Sequence, residues 1–119
     1  MAAHNELGQW GEDLAEEYLR SKGYVIIDRD WHSGHRDLDI IAEDDDVVVF
    51  VEVKTRRNNL FGEPEEAIDF RKRLSLQQTI NHYVKAHRIQ KEIRFDIIAI
   101  TGTPATRPTI RHIPNVALM

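Results

Sequence analysis

Three residues near the middle of the chain have the types and spacing of a phosphodiester-hydrolysing centre: Asp39, and the Glu52-x-Lys54 pair thirteen residues on. Mg²⁺ is a hard cation that takes oxygen ligands, typically one or two carboxylates plus water and phosphate oxygens. Asp39 and Glu52 supply carboxylates, and the backbone carbonyl of Val53 offers a further oxygen. Such an ion stabilises charge on a phosphate and lowers the pKa of a bound water. Lys54 would orient that water, assist its deprotonation or offset negative charge in the transition state. A Glu-x-Lys pair alone is a weak signal, because many such pairs are only the solvated face of a strand.

These residues must share a surface, and strand parity says that they do. Phe50-Val51-Glu52-Val53-Lys54 ends the most apolar run of the chain, Val47 to Lys54, which reads as a strand. Side chains alternate faces along a strand, so Glu52 and Lys54 point one way, Val51 and Val53 the other. Asp37 to Ala42 reads as the preceding strand. Only the acidic turn Glu43-Asp44-Asp45-Asp46 lies between them, which predicts an antiparallel hairpin. Asp39 then meets either Phe50 or Glu52. Both registers keep the same parity, so Asp39 shares the face of Glu52 and Lys54, and Asp37 joins it.

The flanking elements follow from periodicity and punctuation. Residues 6 to 21 read as a helix, with Trp10, Leu14 and Tyr18 at intervals of four and Lys22-Gly23 as its stop. Tyr24 to Asp28 reads as a short strand and residues 32 to 36 as a polar bend. Residues 57 to 68 read as a loop. Asp69 is positioned to cap a helix from Phe70 to Ala86, striped by Leu76, Ile80, Tyr83 and Val84. Arg94 to Thr101 and Thr109 to Ile113 complete the set. The order αβββαββ, with a helix between the third and fourth strands, predicts a mixed central sheet flanked by helices in one domain spanning 1–119.

Composition narrows the function. With no cysteine there is neither a disulfide nor a thiolate zinc site. The net charge of −4 argues against indiscriminate nucleic-acid binding through bulk charge. Basic residues nonetheless cluster at Lys54-Arg56-Arg57, Arg71-Lys72-Arg73 and Lys85-Arg88-Lys91. Arg56, Arg57, Arg71 and Lys72 flank the loop after the Glu-x-Lys strand and are the candidate phosphate contacts, with Gln77 a further nucleic-acid contact. The six histidines show no compact ligand spacing. His32 and His35 lie nearest the cleft. The start of the chain lacks a basic, then apolar, leader and no apolar run reaches transmembrane length, so the expected location is the cytoplasm, without membrane association.

A longer pattern surrounds the constellation. It comprises Gly8-Gln-Trp-Gly-Glu12-Asp-Leu-Ala15, Tyr18-Leu19, Lys22-Gly23-Tyr24, Arg36-Asp37-Leu38-Asp39-Ile40-Ile41 and Val49-Phe50-Val51-Glu52-Val53-Lys54-Thr55-Arg56. Phe61-Gly62-Glu63-Pro64 through Ala67, Arg94-Phe95-Asp96 and His112-Ile113-Pro114-Asn115 continue it. The chain closely resembles the uncharacterised bacterial YraN-like family, within the restriction-endonuclease-like and Holliday-junction-resolvase-like group. The resemblance implies a restriction-endonuclease-like fold. It also implies catalytic roles for Asp39, Glu52 and Lys54 around Mg²⁺, with Mn²⁺ as a substitute. An acid on the first helix, Glu12, would join the metal ligands. The sequence departs from the family pattern before Leu38, where Arg36-Asp37 replaces glycine-glutamate. The shorter carboxylate has less reach, so Asp37 is expected beside the ligands and Asp39 among them. The implied activity is endonucleolytic cleavage of DNA, branched or flap forms included, and the group admits a homodimer. A catalytically inactive nucleic-acid-binding module and a protein-interaction adaptor are the alternatives.

Overall fold

The computed structural model describes residues 5–34, 36–58 and 70–118. The described elements run α1 (Asn5–Ser21), β1 (Val25–Ser33), β2 (Arg36–Asp44), β3 (Val47–Arg56), α2 (Phe70–Ala86), β4 (Glu92–Thr101) and β5 (Thr109–Ile113). The strands form one sheet in the order β1-β2-β3-β4-β5. Only β3 and β4 are parallel, with α2 in the chain between them; the other three pairs are antiparallel. This is the expected mixed α/β order αβββαββ, consistent with a restriction-endonuclease-like fold.

Among the described residues, one helix packs on each face of the sheet. Ile40, Val49, Val51, Ile98 and Ile100 pack with Ala15 and Leu19 of α1. Ile41, Val48, Phe50, Phe95 and Ile97 pack with Leu76, Ile80 and Tyr83 of α2. Burial on both faces explains why β3 reads as an unbroken apolar run. Lys22-Gly23 ends α1 as the sequence indicates. Gly23, at φ 92°, donates to Arg20 O, and Tyr24 N–H reaches back to Leu19 O at 3.0 Å, the paired bonds of a Schellman cap. The end of α2 repeats this cap, with Arg88 in the left-handed position at φ 53° and Ile89 N–H bonded to Val84 O.

The boundary that differs most is that of β1. It continues past Asp28 to Ser33 and pairs with β2 as far as Ser33↔Arg36. Thus His32, Ser33 and Arg36 of the expected bend are strand residues. The extension Arg29-Asp30-Trp31-His32-Ser33 has no apolar alternation, and a register irregularity between Ile26 and Asp28 interrupts the pattern before it. Glu43 and Asp44 likewise belong to β2, so the acidic turn narrows to Asp45-Asp46, with Asp45 at φ 54°. The Asp69 cap and most of the 57–68 loop fall outside the described residues.

Candidate active site

The site lies where the sheet divides. β2 and β3 pair from Asp44↔Val47 to Ile40↔Val51. Beyond that point β2 stays with β1 as far as Arg36, while β3 stays with β4 as far as Arg56. Asp39 is the first residue of β2 past the last pair. Its Oδ2 accepts a hydrogen bond from Val53 N–H at 2.8 Å. A side chain thus occupies the donor that the departing strand leaves behind, as a backbone group inside a protein requires.

A break in strand alternation turns the β1–β2 arm at this level. Arg29, paired with Ile40, reaches the acids of α1, whereas Trp31, paired with Leu38, packs in the α2 cluster. Residues two apart should share a face; here both strands change face across Asp30 and Asp39. Asp30 sits at φ 54°, which breaks the regular repeat.

The turned arm brings Asp30 and Asp39 towards α1. Among the described residues, Glu12, Asp30 and Asp39 each place a carboxylate oxygen within 4.8 Å of the others. Arg29 borders the group, at 3.3 Å from Glu12 and 3.7 Å from Asp30, and also holds Asp13 at 2.8 Å and Glu16 at 3.0 Å. Close approach of α1 depends on Gly11: a Cβ there would stand 1.9 Å from Thr55 Oγ1 and 2.9 Å from Thr55 Cβ. With no side chain on Gly11, the helix rests on β3 and delivers the next residue, Glu12, to the fork.

The carboxyls at the fork hold their protons unusually well. Asp39 is pushed well above the ordinary aspartate range, first by burial, then by the charge of Glu52, with Glu12 and Asp30 adding to it; the Val53 N–H pulls the other way. Glu12 is raised to about 7 by burial and by Asp30, against the opposing pull of Arg29. Crowded carboxylates of this kind disfavour joint ionisation unless a cation sits among them.

Glu52 opens on the α2 side. It is 8% exposed and lines, with Asp39, a cavity of about 290 Å³ whose other walls are Arg36, Asp37, Lys72, Ser75, Leu76 and Thr79. Lys54 Nζ and Lys72 Nζ each lie 3.4 Å from Glu52 Oε2. The Lys54 ammonium is pulled below its usual range by burial and by Lys72, with Glu52 opposing. Burial also acts against the Lys72 charge, but hydrogen bonding and the carboxylates leave it raised.

The structure places Asp39, Glu52, Lys54 and Glu12 around the fork, and the break in alternation at Asp39 gives that residue Glu12 on the α1 side as well as Glu52 on the α2 side. Glu52 adjoins the group formed by Glu12, Asp30 and Asp39 without belonging to it. For Val53 it is the N–H, bonded to Asp39, that the structure ties to the site. Asp37 lines the cavity and pairs with His32 at 2.5 Å. Lys72 lies in the cavity wall rather than on an outer rim. Arg57 and Arg71 are exposed, Arg56 and Gln77 half-buried, and none of these four lines the cavity. His4 and His35 lie outside the described residues. Sequence reasoning missed Asp30 and Arg29, which belong to the unrecognised half of β1. Their one signal is the charged run Asp28-Arg29-Asp30, which resembles any solvated turn.

The donor set fits a hard divalent cation. Its ligand atoms are carboxylate oxygens, three of them within 4.8 Å of one another, and a backbone carbonyl is next to Glu52 in sequence. A dication among them would relieve the repulsion that holds protons on Asp39 and Glu12.

Residues 11–100 match the family model described as "Uncharacterised protein family UPF0102". A UPF0102 protein of Syntrophomonas wolfei is 46% identical over 113 residues, covering 94% of this chain and 97% of the relative. One from Bacteroides thetaiotaomicron is 47% identical over 102 residues, covering 86% and 84%. A third, from Christiangramia forsetii, is 43% identical over 115 residues, covering 97% and 96%.

Proposed function

We propose, for a chain that belongs to the uncharacterised protein family UPF0102, that the fork is a metal-dependent phosphodiesterase centre and that the protein is an endonuclease acting on DNA. One observation carries this reading: Glu12, Asp30 and Asp39 meet within 4.8 Å beside a cavity in which Glu52 is held by two lysines. Asp39 and Glu12, with Glu52 and the Val53 carbonyl, would hold Mg²⁺ or Mn²⁺; Asp30 adds a fourth carboxylate. When bound, the ion supplies positive charge to the phosphate and acidity to a coordinated water. Asp39 is fixed for its part by the Val53 N–H, and Glu12 by the seating of Gly11 on Thr55. Lys54 orients Glu52 and adds positive charge beneath the reacting group. Asp37 tethers His32 at the cavity edge. Arg56, Arg57 and Arg71 stand at or just beyond the ends of β3 and α2, the elements that carry Glu52 and Lys72, and are the proposed holders of a strand's phosphates. Gln77 is a further contact along α2.

The test is a cleavage screen over linear, flap, junction and RNA substrates, in Mg²⁺ or Mn²⁺ and with chelator, with Glu52→Gln in parallel. Metal-dependent cleavage that chelation stops and Glu52→Gln abolishes supports the reading. Binding without cleavage of any substrate would replace it with an inactive nucleic-acid-binding module, and neither binding nor cleavage would point to a protein partner. Light scattering across concentration tests whether the enzyme works as a dimer.

A further inference from the structure

Two lysines reach the same oxygen of Glu52, and they do so from different walls. Lys54 comes from β3, two residues beyond Glu52. Lys72 comes from the first turns of α2, across the cavity. Only Lys72 of the two lines that cavity. Its side chain is 41% exposed, against 19% for Lys54. A ligand entering the cavity therefore touches the Lys72 ammonium, while Lys54 lies deeper, behind the carboxylate.

The helix fixes this placement. Lys72, Ser75-Leu76, Thr79-Ile80 and Tyr83 recur at intervals of three and four, the stripe of α2 that faces the sheet. Leu76, Thr79, Ile80 and Tyr83 are buried. Lys72 heads this stripe at a position where an apolar residue is the ordinary choice. A lysine serving only solubility belongs on the opposite face.

We infer that Lys72 is the catalytic lysine that meets the substrate: its ammonium binds a non-bridging oxygen of the scissile phosphodiester, and Lys54 holds Glu52 from behind. This assignment rests on the nuclease reading above. Arg36 on β2 and Lys72 on α2 present cations from two walls of one cavity, with Asp39 and Glu52 between them. In hydrolysis a water oxygen bonds to phosphorus and one P–O ester bond breaks. The water releases a proton to solvent, and the departing oxygen takes one from solvent. Charge grows on the non-bridging oxygens during this exchange, and a pre-placed ammonium stabilises it.

The test uses a DNA substrate that the wild-type protein cleaves, with Lys72→Ala, Lys72→Arg and Lys54→Ala. Single-turnover rates are measured in Mg²⁺. Affinities are measured in Ca²⁺ for the same DNA and for DNA with one neutral methylphosphonate at the cleaved linkage. Lys72→Ala should slow cleavage by roughly 10²–10³-fold, and Lys72→Arg should restore part of the rate. Wild-type protein and Lys54→Ala should bind the methylphosphonate DNA more weakly than the natural one, whereas in Lys72→Ala that difference should shrink to the part owed to the metal ion. A merely structural role for Lys72 would not shrink that difference. A Lys72→Ala rate within twofold of wild type, or an unchanged methylphosphonate penalty, overturns the assignment and leaves the nuclease reading standing. A wild-type protein that neither binds nor cleaves any substrate removes both.

Discussion

Gly11→Ala isolates the contact that seats α1 against the sheet. In a free helix this change is favourable, by up to about 1 kcal/mol, because alanine is the better helix former. Here the added methyl would stand 1.9 Å from Thr55 Oγ1 and 2.9 Å from both Thr55 Cβ and Cγ2. Rotating the threonine side chain moves Oγ1 and Cγ2 but not Cβ, so the helix itself must retreat from β3. Overpacking of this kind costs about 1–3 kcal/mol, which exceeds the propensity gain at all but the low end. Equilibrium urea unfolding, followed by tryptophan fluorescence, should give a net loss of up to about 2 kcal/mol. Thr55→Ala in the same chain removes Oγ1, the 1.9 Å contact, and Cγ2, leaves the Cβ contact at 2.9 Å, and should recover part of that loss, a coupling between the two positions of at least about 0.5 kcal/mol. Mn²⁺ affinity should fall in Gly11→Ala and recover in the double variant, because Glu12 moves with the helix. Gly11→Ala more stable than wild type, or additivity of the two changes, would refute the close approach and with it the delivery of Glu12.

Asp96 is fully buried and accepts from Arg94, His112 and the Asn115 N–H. Burial raises its pKa, yet those bonds outweigh it and leave the carboxyl below the usual 3.8. A depressed folded pKa adds stability above the unfolded value and forfeits it as pH falls through the folded one. The urea midpoint should therefore drop on acidification below about pH 4, more steeply in wild type than in Asp96→Asn. The Asn variant should also be less stable at pH 7 by about 3–5 kcal/mol, the cost of breaking a buried ion pair. Arg88→Gly, at the left-handed cap of α2, should raise stability by about 0.5–1 kcal/mol in the same assay. In the metal-free protein the Glu12 side-chain carbon signal should titrate near pH 7 by NMR, set by burial and Asp30; a midpoint near 4.5 would show that the fork is more open than described.

How far the sequence discloses this site depends on which side chains report their own placement. Asp39, Glu52 and Lys54 lie on or beside an apolar strand with a short turn before it, so parity alone predicts one shared face, and it does not foresee the break that gives Asp39 neighbours on both faces. Glu12 is invisible to parity, because its position depends on how α1 crosses the sheet, and that crossing is set by one missing methyl at Gly11. The resemblance supplies Glu12 where periodicity does not. Asp30 is legible to neither. It lies where alternation fails, in a polar strand stretch whose register is fixed by pairing with β2 rather than by any pattern of its own. Lys72 shows the reverse error: a basic cluster at 71–73 suggests a solvated rim, and only the helical phase of Leu76, Ile80 and Tyr83 turns that one lysine inward.

The same fork explains why strongly perturbed acids can be tolerated here. Within a continuous ladder, the Val53 N–H would have a backbone partner and Asp39 would be a carboxylate with nothing to accept from. Parting β2 from β3 at this level leaves a donor and an acceptor that satisfy each other at 2.8 Å, and it opens both faces of the sheet to one residue. From the α1 side come Glu12 and, at a turned position on β1, Asp30; from the α2 side come Glu52 and its lysines. Asp39 feels charges from both sides, since Glu52, Glu12 and Asp30 all push its pKa upward. Asp39→Asn should consequently relieve repulsion in the metal-free protein while weakening the cation site. The expected signature is an unfolding midpoint equal to or above that of wild type without metal, together with loss of the further rise expected of wild type on adding Mn²⁺. If Asp39→Asn instead unfolds far more easily in chelator, the Asp39–Val53 bond matters more to the fold than the repulsion does, and the strained-acid account of the fork fails.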